Sequence, residues 1–199
     1  PAELWSLLVA REPVCLVANL EDDSVTDFVL YTESSIDQAD SAAQALFERG
    51  KSDSEIVNNK IISVFWPVPK IVIVGTGPNA QALRESAALL GWQTVITSDA
   101  GSAQGVIAGV SALDSIVIMI HDLDIAGAAL SAALSSNAGY IGALGSKRMQ
   151  ETRAEWLAYR GITDLTRIHG PAGINIGAKT PAEIAISILA QALSVVKLG

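Results

Sequence analysis

The chain has 199 residues, is 50% hydrophobic and carries a formal net charge of −8. This length and apolar content are sufficient for a sizeable core in one or two domains. The negative charge argues against general nucleic-acid binding, because affinity for a polyanion depends mainly on Lys and Arg.

The excess of acidic residues is confined to the first third of the chain. Residues 1–66 hold four Lys/Arg against twelve Asp/Glu, and the remaining residues hold nine of each. Cys15 is the only cysteine, so we expect a cytoplasmic protein with neither an internal disulfide nor a cysteine-based zinc cluster. The longest apolar run, 61–74, is interrupted by two prolines and a lysine, so no membrane span and no signal peptide are predicted.

The first 66 residues predict a small acidic α/β domain. Leucines at helical spacing predict a helix over 2–11. Two apolar runs around an acidic turn, 14–20 and 27–32, predict a β-hairpin. A second helix is predicted over 36–50 and a further strand over 59–66.

The domain boundary is predicted at the segment WPVPK, where Pro67 and Pro69 favour a stiff extended connection. The predicted domains are therefore 1–66 and 67–199. From Lys70 onward, continuous apolar strands alternate with helical segments, a pattern typical of a parallel sheet covered on both faces. The sequence thus predicts an α/β fold with a Rossmann-like doubly wound parallel sheet and a smaller N-terminal α/β domain.

A glycine-rich turn, GTGPNA, lies between the strand KIVIV and a helix, which is the context that a dinucleotide-binding turn requires. Gly75 permits the tight turn, and Gly77 lets a phosphate approach the backbone beside Thr76. The small Ala80 lets the helix meet the strand. Asp99 lies nineteen residues after Ala80, near where an acid would bind a ribose hydroxyl. A turn that serves packing alone and binds nothing is the alternative.

Two polar residues, His121 and Asp122, follow the apolar strand SIVIMI. They are expected at the carboxyl end of the sheet, where open α/β folds bind their ligands. His121 is a candidate for hydrogen bonding or proton exchange with a bound group, and a structural histidine is the alternative. Asp122 and Asp124 form either a carboxylate pair or two helix-start acids. With His169 as the only other histidine, no metal site is predicted.

The strongest predicted anion site is the turn GSKR. Gly145 permits a bend, and Ser146, Lys147 and Arg148 open a helix whose free N–H groups carry partial positive charge. The turn belongs to a basic cluster over 146–179, in which six Lys/Arg face three Asp/Glu. A solvated helix face is the alternative for Lys147 and Arg148.

A second glycine-rich loop, HGPAGINIGAKT, leads into the last helix. Gly173 and its neighbours permit a turning backbone, and Thr180, Pro181 and Glu183 predict a capping box at the helix start. The loop is either a further anion-binding turn or a structural connection.

Together these segments resemble the Rossmann domain of xanthine dehydrogenase accessory proteins, the XdhC/CoxI type of molybdenum cofactor chaperone. The matching segments are GTGPNA, the HD pair after its strand, YIGALGSKR, Arg153 with Leu157, and RIHGPAGINIGAKTPAEIAISILA. They extend over most of 67–199. The resemblance implies that residues 1–66 are a shortened or divergent form of the usual N-terminal domain of that family.

The resemblance implies an accessory protein that binds molybdopterin and loads it into a xanthine dehydrogenase-like molybdenum hydroxylase, with a cysteine desulfurase as a further partner. Carried onto this chain, it implies cofactor contacts at Gly75, Gly77, His121, Asp122, Gly145, Ser146, Lys147, Arg148 and Gly173. A homodimer is expected from the mean hydropathy of +0.38 and the four tryptophans.

Two other functions stay open at this point. An NAD(P)-dependent oxidoreductase would bind its cofactor at GTGPNA and use His121 as acid or base. A regulatory or interaction module would keep the fold without a cofactor or an activity.

Overall fold

The structure is a computed structural model that describes residues 2–22 and 24–198. Its contacts divide the chain into two compact units, Pro1–Pro67 and Val68–Gly199. The N-terminal unit contains an antiparallel sheet. The C-terminal unit contains a parallel sheet and holds every residue that the sequence predicts to bind a cofactor.

The N-terminal unit is a four-stranded sheet, with one of its helices packed on one face. Its elements are α1 (Ala2–Val9), β1 (Val14–Glu21), β2 (Ser24–Thr32), a 3-10 turn (Ile36–Gln38), α2 (Ser41–Glu48), β3 (Asp53–Val57) and β4 (Lys60–Phe65). The strand order is β2-β1-β4-β3. Apolar residues of β1 and β4 pack against Leu46 and Phe47 of α2 and form a small core.

One sequence prediction in this unit is wrong, and one strand was not predicted. The helix predicted over 36–50 is divided, because Asp40 is extended and caps α2 by accepting the N–H of Ala43 at 3.0 Å. Strand β3 has no counterpart in the prediction. It pairs with β4, and the turn that connects the two strands is formed by Asn58 and Asn59, which both have positive φ. Asparagine tolerates that conformation, so the pair is the sequence signal for this hairpin.

The C-terminal unit is a five-stranded sheet with helices on both faces. Its elements are β5 (Lys70–Val74), α3 (Pro78–Leu89), β6 (Gln93–Thr97), α4 (Ala100–Ile107), β7 (Ser115–Ile118), α5 (Leu123–Leu134), β8 (Tyr140–Ala143), α6 (Lys147–Ala158), β9 (Ile168–His169) and α7 (Pro181–Leu198). The strand order is β6-β5-β7-β8-β9, and each neighbouring pair is parallel. The predicted α/β, Rossmann-like doubly wound fold is confirmed.

Burial of both sheet faces explains why its strands are continuous apolar runs. Val72, Ile116 and Ile141 pack in a core with residues of α4, α5 and α6. Ile73 and Val117 pack in a second core with residues of α3 and α7. Full burial of one such side chain stabilises the fold by roughly 1.5–3 kcal/mol. The buried strands therefore fix the positions of the turns that follow them.

The chain changes direction across the sheet at β5. It runs from β5 outward to β6 and then returns to β7 on the other side of β5. In open α/β sheets, ligands bind in the crevice at such a switch point, beyond the carboxyl ends of the strands. The turns that follow β5 and β7 flank this crevice.

Helix α7 is the one helix among residues 2–22 and 24–198 that is long and apolar enough to cross a membrane, by length and composition alone. Its apolar face includes Ala185, Ile188 and Ala192, which are buried in the core that α7 shares with α3. A core helix passes the same test, because its buried face raises the mean hydropathy. These contacts pack one face of α7 into the core of the C-terminal unit.

Candidate functional site

The turns that follow β5, β7, β8 and β9 lie side by side at the carboxyl edge of the sheet. Val74, Ile118 and Ala143 are register partners at the ends of three neighbouring strands. Beyond them, the N–H of Leu144 donates to the Ile118 carbonyl at 2.8 Å, and the N–H of Ala172 donates to the Ala143 carbonyl at 2.9 Å. We call this edge the rim and define it by four segments: 75–77, 121–122, 145–148 and 170–177.

Gly75 and Gly77 have positive φ values, 134° and 96°, but different surroundings. A Cβ on Gly75 would lie 2.9 Å from the backbone nitrogen of Ile120, so only glycine allows this close approach to the turn after β7. A Cβ on Gly77 would have no heavy atom within 4 Å. Ala80 is 1% exposed and packs in the core. Gly75 and Ala80 therefore serve packing, whereas Gly77 and the exposed Thr76 border open space.

Helices α3 and α6 both begin at the rim. Gly77 precedes α3 and has no side chain to cap it. Ser146 caps α6 by accepting the N–H of Met149 at 3.3 Å. Lys147 and Arg148 are exposed, and in the described part of the chain their side chains have no hydrogen-bond or ion-pair partner. Backbone donors and two available cations therefore coincide at the start of α6.

The two acids predicted at the cofactor site both cap helices. Asp99 accepts the N–H of Ser102 at 2.8 Å at the start of α4, and this bond is the main cause that lowers the pKa of Asp99. Asp122 accepts the N–H of Ile125 at 3.0 Å at the start of α5. Asp122 is thus a helix-start acid, as one of its two interpretations expected. His121 is exposed beside it.

Three of the six cations in the basic cluster take part in structural contacts. Arg160 lies 3.3 Å from the centre of the Trp156 ring, whose indole N–H donates to Asp124 at 2.8 Å. Arg167 donates to three carbonyls at and beyond the end of α5. Arg153 is buried. The exposed cations that remain are Lys147, Arg148 and Lys179.

Arg153 joins two turns of the rim. Its side chain, 3% exposed, donates to the Ile120 carbonyl at 2.9 Å and to the Leu144 carbonyl at 2.8 Å. Burial lowers the pKa of Arg153. The amide of Gln150 donates to the carbonyl of Gly145, whose φ is 142°. Sequence reasoning missed this role, because nothing local separates Arg153 from the exposed cations of α6.

The second glycine-rich loop is held against the sheet and α7. The side-chain oxygen of Gln191 accepts both the Tyr140 hydroxyl and the Gly173 N–H, each at 2.7 Å. The hydroxyl of Ser187 donates to the Ile174 carbonyl at 2.6 Å. A Cβ on Gly173, whose φ is 101°, would overlap the Ser187 hydroxyl. Gly173 therefore allows the loop to close on α7.

Thr97 and Ser115 carry buried hydroxyls that have no hydrogen-bond partner within the described ranges. Thr97 lies at the carboxyl end of β6, and its carbonyl accepts the N–H of Gly75 at 2.7 Å. A buried unpaired polar group costs about 1–3 kcal/mol. The unpaired hydroxyl of Thr97 could not be predicted from the sequence, since threonine is a common strand residue.

His169 stacks on Tyr140, with ring centroids 5.1 Å apart. Burial lowers the pKa of His169 below its ordinary value of 6.5. As the pH falls below 6.5, His169 is protonated in the unfolded chain before it is protonated in the folded chain. The free energy of unfolding is therefore highest above pH 6.5 and decreases as the pH falls from 6.5 toward the pKa of the folded state.

We expect His169→Phe, which keeps a ring against Tyr140, to remove this part of the pH dependence. Denaturant titrations of the two proteins between neutral pH and pH about 5 measure it. The free energy of unfolding should fall more steeply with acid in the wild type. Parallel curves for the two proteins would contradict this expectation.

A parallel sheet with a glycine turn at its switch point and helix starts along one edge defines a Rossmann-type domain. The family model of the XdhC Rossmann domain matches residues 71–192. The chain belongs to this family, and the resemblance inferred from its sequence is confirmed.

Individual proteins match as well. The chain is 31% identical over 156 residues to the uncharacterized protein YqeB of Escherichia coli (strain K12). This alignment covers 67% of the chain and 28% of YqeB. It is 31% identical over 136 residues to the molybdenum cofactor insertion chaperone PaoD of the same organism. This second alignment covers 66% of the chain and 41% of PaoD.

A crystal structure of a xanthine dehydrogenase from Bacillus halodurans shares the fold, with a TM-score of 0.61 at 24% identity. The match covers 98% of this chain and 63% of that one. The chain therefore spans less than two thirds of the length of each of these three proteins.

Proposed function

We propose that this chain binds the molybdenum cofactor at the rim and helps to insert it into a molybdenum hydroxylase. The observation that carries the proposal is the pair of exposed cations, Lys147 and Arg148, at a helix start on the same rim as the open Gly77. Membership of the XdhC Rossmann domain family and similarity to a molybdenum cofactor insertion chaperone support it.

The donors at the rim fit the anionic parts of the cofactor. Molybdopterin carries a phosphate and an anionic metal–dithiolene group. Backbone N–H groups at a helix start and exposed cations bind such oxygens through charge-assisted hydrogen bonds. Gly77 leaves room for an anionic group of the cofactor to approach the backbone. In this proposal His121 supplies a further hydrogen bond from the turn after β7.

The proposed role is to bind and shelter the cofactor rather than to react with it. Cys15, the only cysteine, is buried, and burial together with the charge of Asp40 raises the pKa of Cys15 to about 11. Its thiolate is therefore scarce at neutral pH, which removes the chain's strongest nucleophile. A cysteine desulfurase as a further partner, a homodimer and a cytoplasmic location stay predictions.

An NAD(P)-dependent oxidoreductase is the second candidate, and the positive φ angles of Gly75 and Gly77 favour it. Against it, Asp99, the acid expected to bind the ribose, accepts an N–H at the start of α4 instead. Calorimetric titration with NAD and NADP tests this candidate. Heat of binding from neither nucleotide would remove it.

Cofactor uptake by the intact chain tests the leading proposal. We expect Lys147→Ala combined with Arg148→Ala to weaken binding of molybdopterin by about tenfold or more, since a hydrogen bond to a charged group contributes about 1.5–3 kcal/mol. Equilibrium dialysis measures the affinity, and mass spectrometry identifies small molecules that co-purify with each protein.

A matched control is Arg84→Ala combined with Lys197→Ala. It removes two exposed charges from the same unit, on α3 and α7 and outside the rim. Uptake by this control should equal that of the wild type. Undiminished uptake by the variant lacking Lys147 and Arg148 would eliminate the proposed site.

A further inference from the structure

A cavity of about 280 Å³ lies between α5, α6 and the segment that ends in β9. Its walls are largely apolar, and its lining includes Leu130, Glu151, Arg153, Leu157, Leu165 and Ile168. The volume is slightly below that of drug-sized pockets, so it fits one fused ring system but not a whole dinucleotide.

The lining of this cavity includes the polar residues Gln150 and Glu151 and one cation, Arg153. The guanidinium of Arg153 donates to the carbonyls of Ile120 and Leu144 and, at 3.5 Å, to Gln150 Oε1. A guanidinium has five N–H donors, so two have no partner in the described part of the chain. No carboxylate in the described part of the chain forms a hydrogen bond or an ion pair with Arg153. These two N–H groups are available to a guest that brings acceptor atoms.

A carboxylate borders the same cavity. Glu151 is exposed and lines the opening, two residues before Arg153 on α6. The cavity thus combines apolar walls with a donor and an acceptor group. This combination recognises a flat heterocycle whose edge carries N–H donors next to a carbonyl oxygen. A simple carboxylic acid would be repelled by Glu151, and an apolar guest would leave both charges unused.

We propose that this cavity holds the 2-amino-4-oxopyrimidine end of the cofactor's pterin, an inference that rests on the function proposed above. Glu151 accepts hydrogen bonds from the ring N–H and the exocyclic amine, and Arg153 donates to the ring carbonyl. Leu130, Leu157 and Ile168 cover the ring faces. The chemistry is recognition alone, with no bond made or broken.

The position of the cavity agrees with the binding of one extended molecule. Glu151 follows Lys147 by four residues on α6, which corresponds to a rise of about 6 Å along the helix. The cavity opening and the cationic helix start therefore lie on successive turns of one helix. The pterin end occupies the cavity while the phosphate end reaches Lys147 and Arg148.

The test uses 6-hydroxymethylpterin, which lacks a phosphate and so does not depend on Lys147 or Arg148. Quenching of its fluorescence on titration with the intact chain measures binding. We expect Glu151→Gln to weaken binding about tenfold or more, because it replaces a charged double acceptor. Ala154→Leu, which fills the cavity from its lining, should abolish binding. The control Glu155→Gln changes an exposed neighbour that does not line the cavity and should bind like the wild type.

Two outcomes would overturn the inference: no binding of the pterin by the wild type, or unchanged binding by Glu151→Gln. Loss of binding by Glu155→Gln as strong as that by Glu151→Gln would also contradict it. If intact molybdopterin is taken up but the phosphate-free pterin is not, this cavity assignment fails while the proposed function stands. If neither is taken up, the proposed function fails.

Discussion

Gly75→Ala is expected to lower the free energy of unfolding by roughly 2–5 kcal/mol. The new Cβ would lie 2.9 Å from the backbone nitrogen of Ile120 and 3.1 Å from the Cβ of Met119. Backbone atoms cannot rotate out of the way, so the turn after β5 would have to move away from β7. The φ of 134° adds conformational strain for any residue with a side chain.

Gly77→Ala is the matched control for this prediction. Its φ of 96° also strains a side chain, but a Cβ there would meet no heavy atom within 4 Å. We expect a loss of about 1–2 kcal/mol from strain alone. Denaturant titration measures both variants. Equal losses would mean that the close approach of Gly75 to Ile120 contributes nothing. On the proposed function, Gly77→Ala should also weaken cofactor uptake, because its methyl group enters the open space.

Arg153→Leu is expected to lower the free energy of unfolding by roughly 2–4 kcal/mol. The change leaves the carbonyls of Ile120 and Leu144 without the guanidinium donors that they have at 2.9 and 2.8 Å. A buried acceptor without a partner costs about 1–3 kcal/mol. Removing a buried charge offsets part of this loss, because the charge no longer has to be held away from water.

Arg160→Leu is the control on the same helix. Arg160 lies over the exposed side of Trp156, and loss of this contact should cost about 0.5–1 kcal/mol. Arg153→Lys keeps the charge but not the planar fork that reaches two carbonyls, so it should lose nearly as much as Arg153→Leu. Thermal and denaturant unfolding measure all three. A fully stable Arg153→Lys would show that charge, rather than the pair of hydrogen bonds, matters at this position.

The parallel half of the fold was predictable because its signals are local. Strands buried on both faces are continuous apolar runs, and each is followed by a recognisable helix start. The capping box is one example. Glu183 accepts the N–H groups of Thr180 and Lys179 at 2.9 and 2.8 Å, as the spacing of Thr180 and Glu183 predicted.

Contacts between distant parts of the chain could not be predicted in this way. A count of charges treats Arg153 and Arg167 as equivalent to Lys147. The partners that engage the two arginines lie far along the chain: Ile120 is 33 residues from Arg153, and Ala138 is 29 from Arg167. Which of these cations stay exposed depends on the tertiary structure, and the sequence predicted only how many Lys and Arg residues the cluster contains.

One amide oxygen links the sheet, the second glycine-rich loop and the last helix. Because Gln191 accepts both the Tyr140 hydroxyl and the Gly173 N–H, this part of the rim loses its conformational freedom during folding and not on binding. On the proposed function, this loop adds little to the ordering cost when a guest binds, and the same two hydrogen bonds oppose release of the guest by opening of the loop. On the proposed function, transfer then depends on the recipient protein competing for the guest, and the rate of hand-over should rise with the concentration of the recipient.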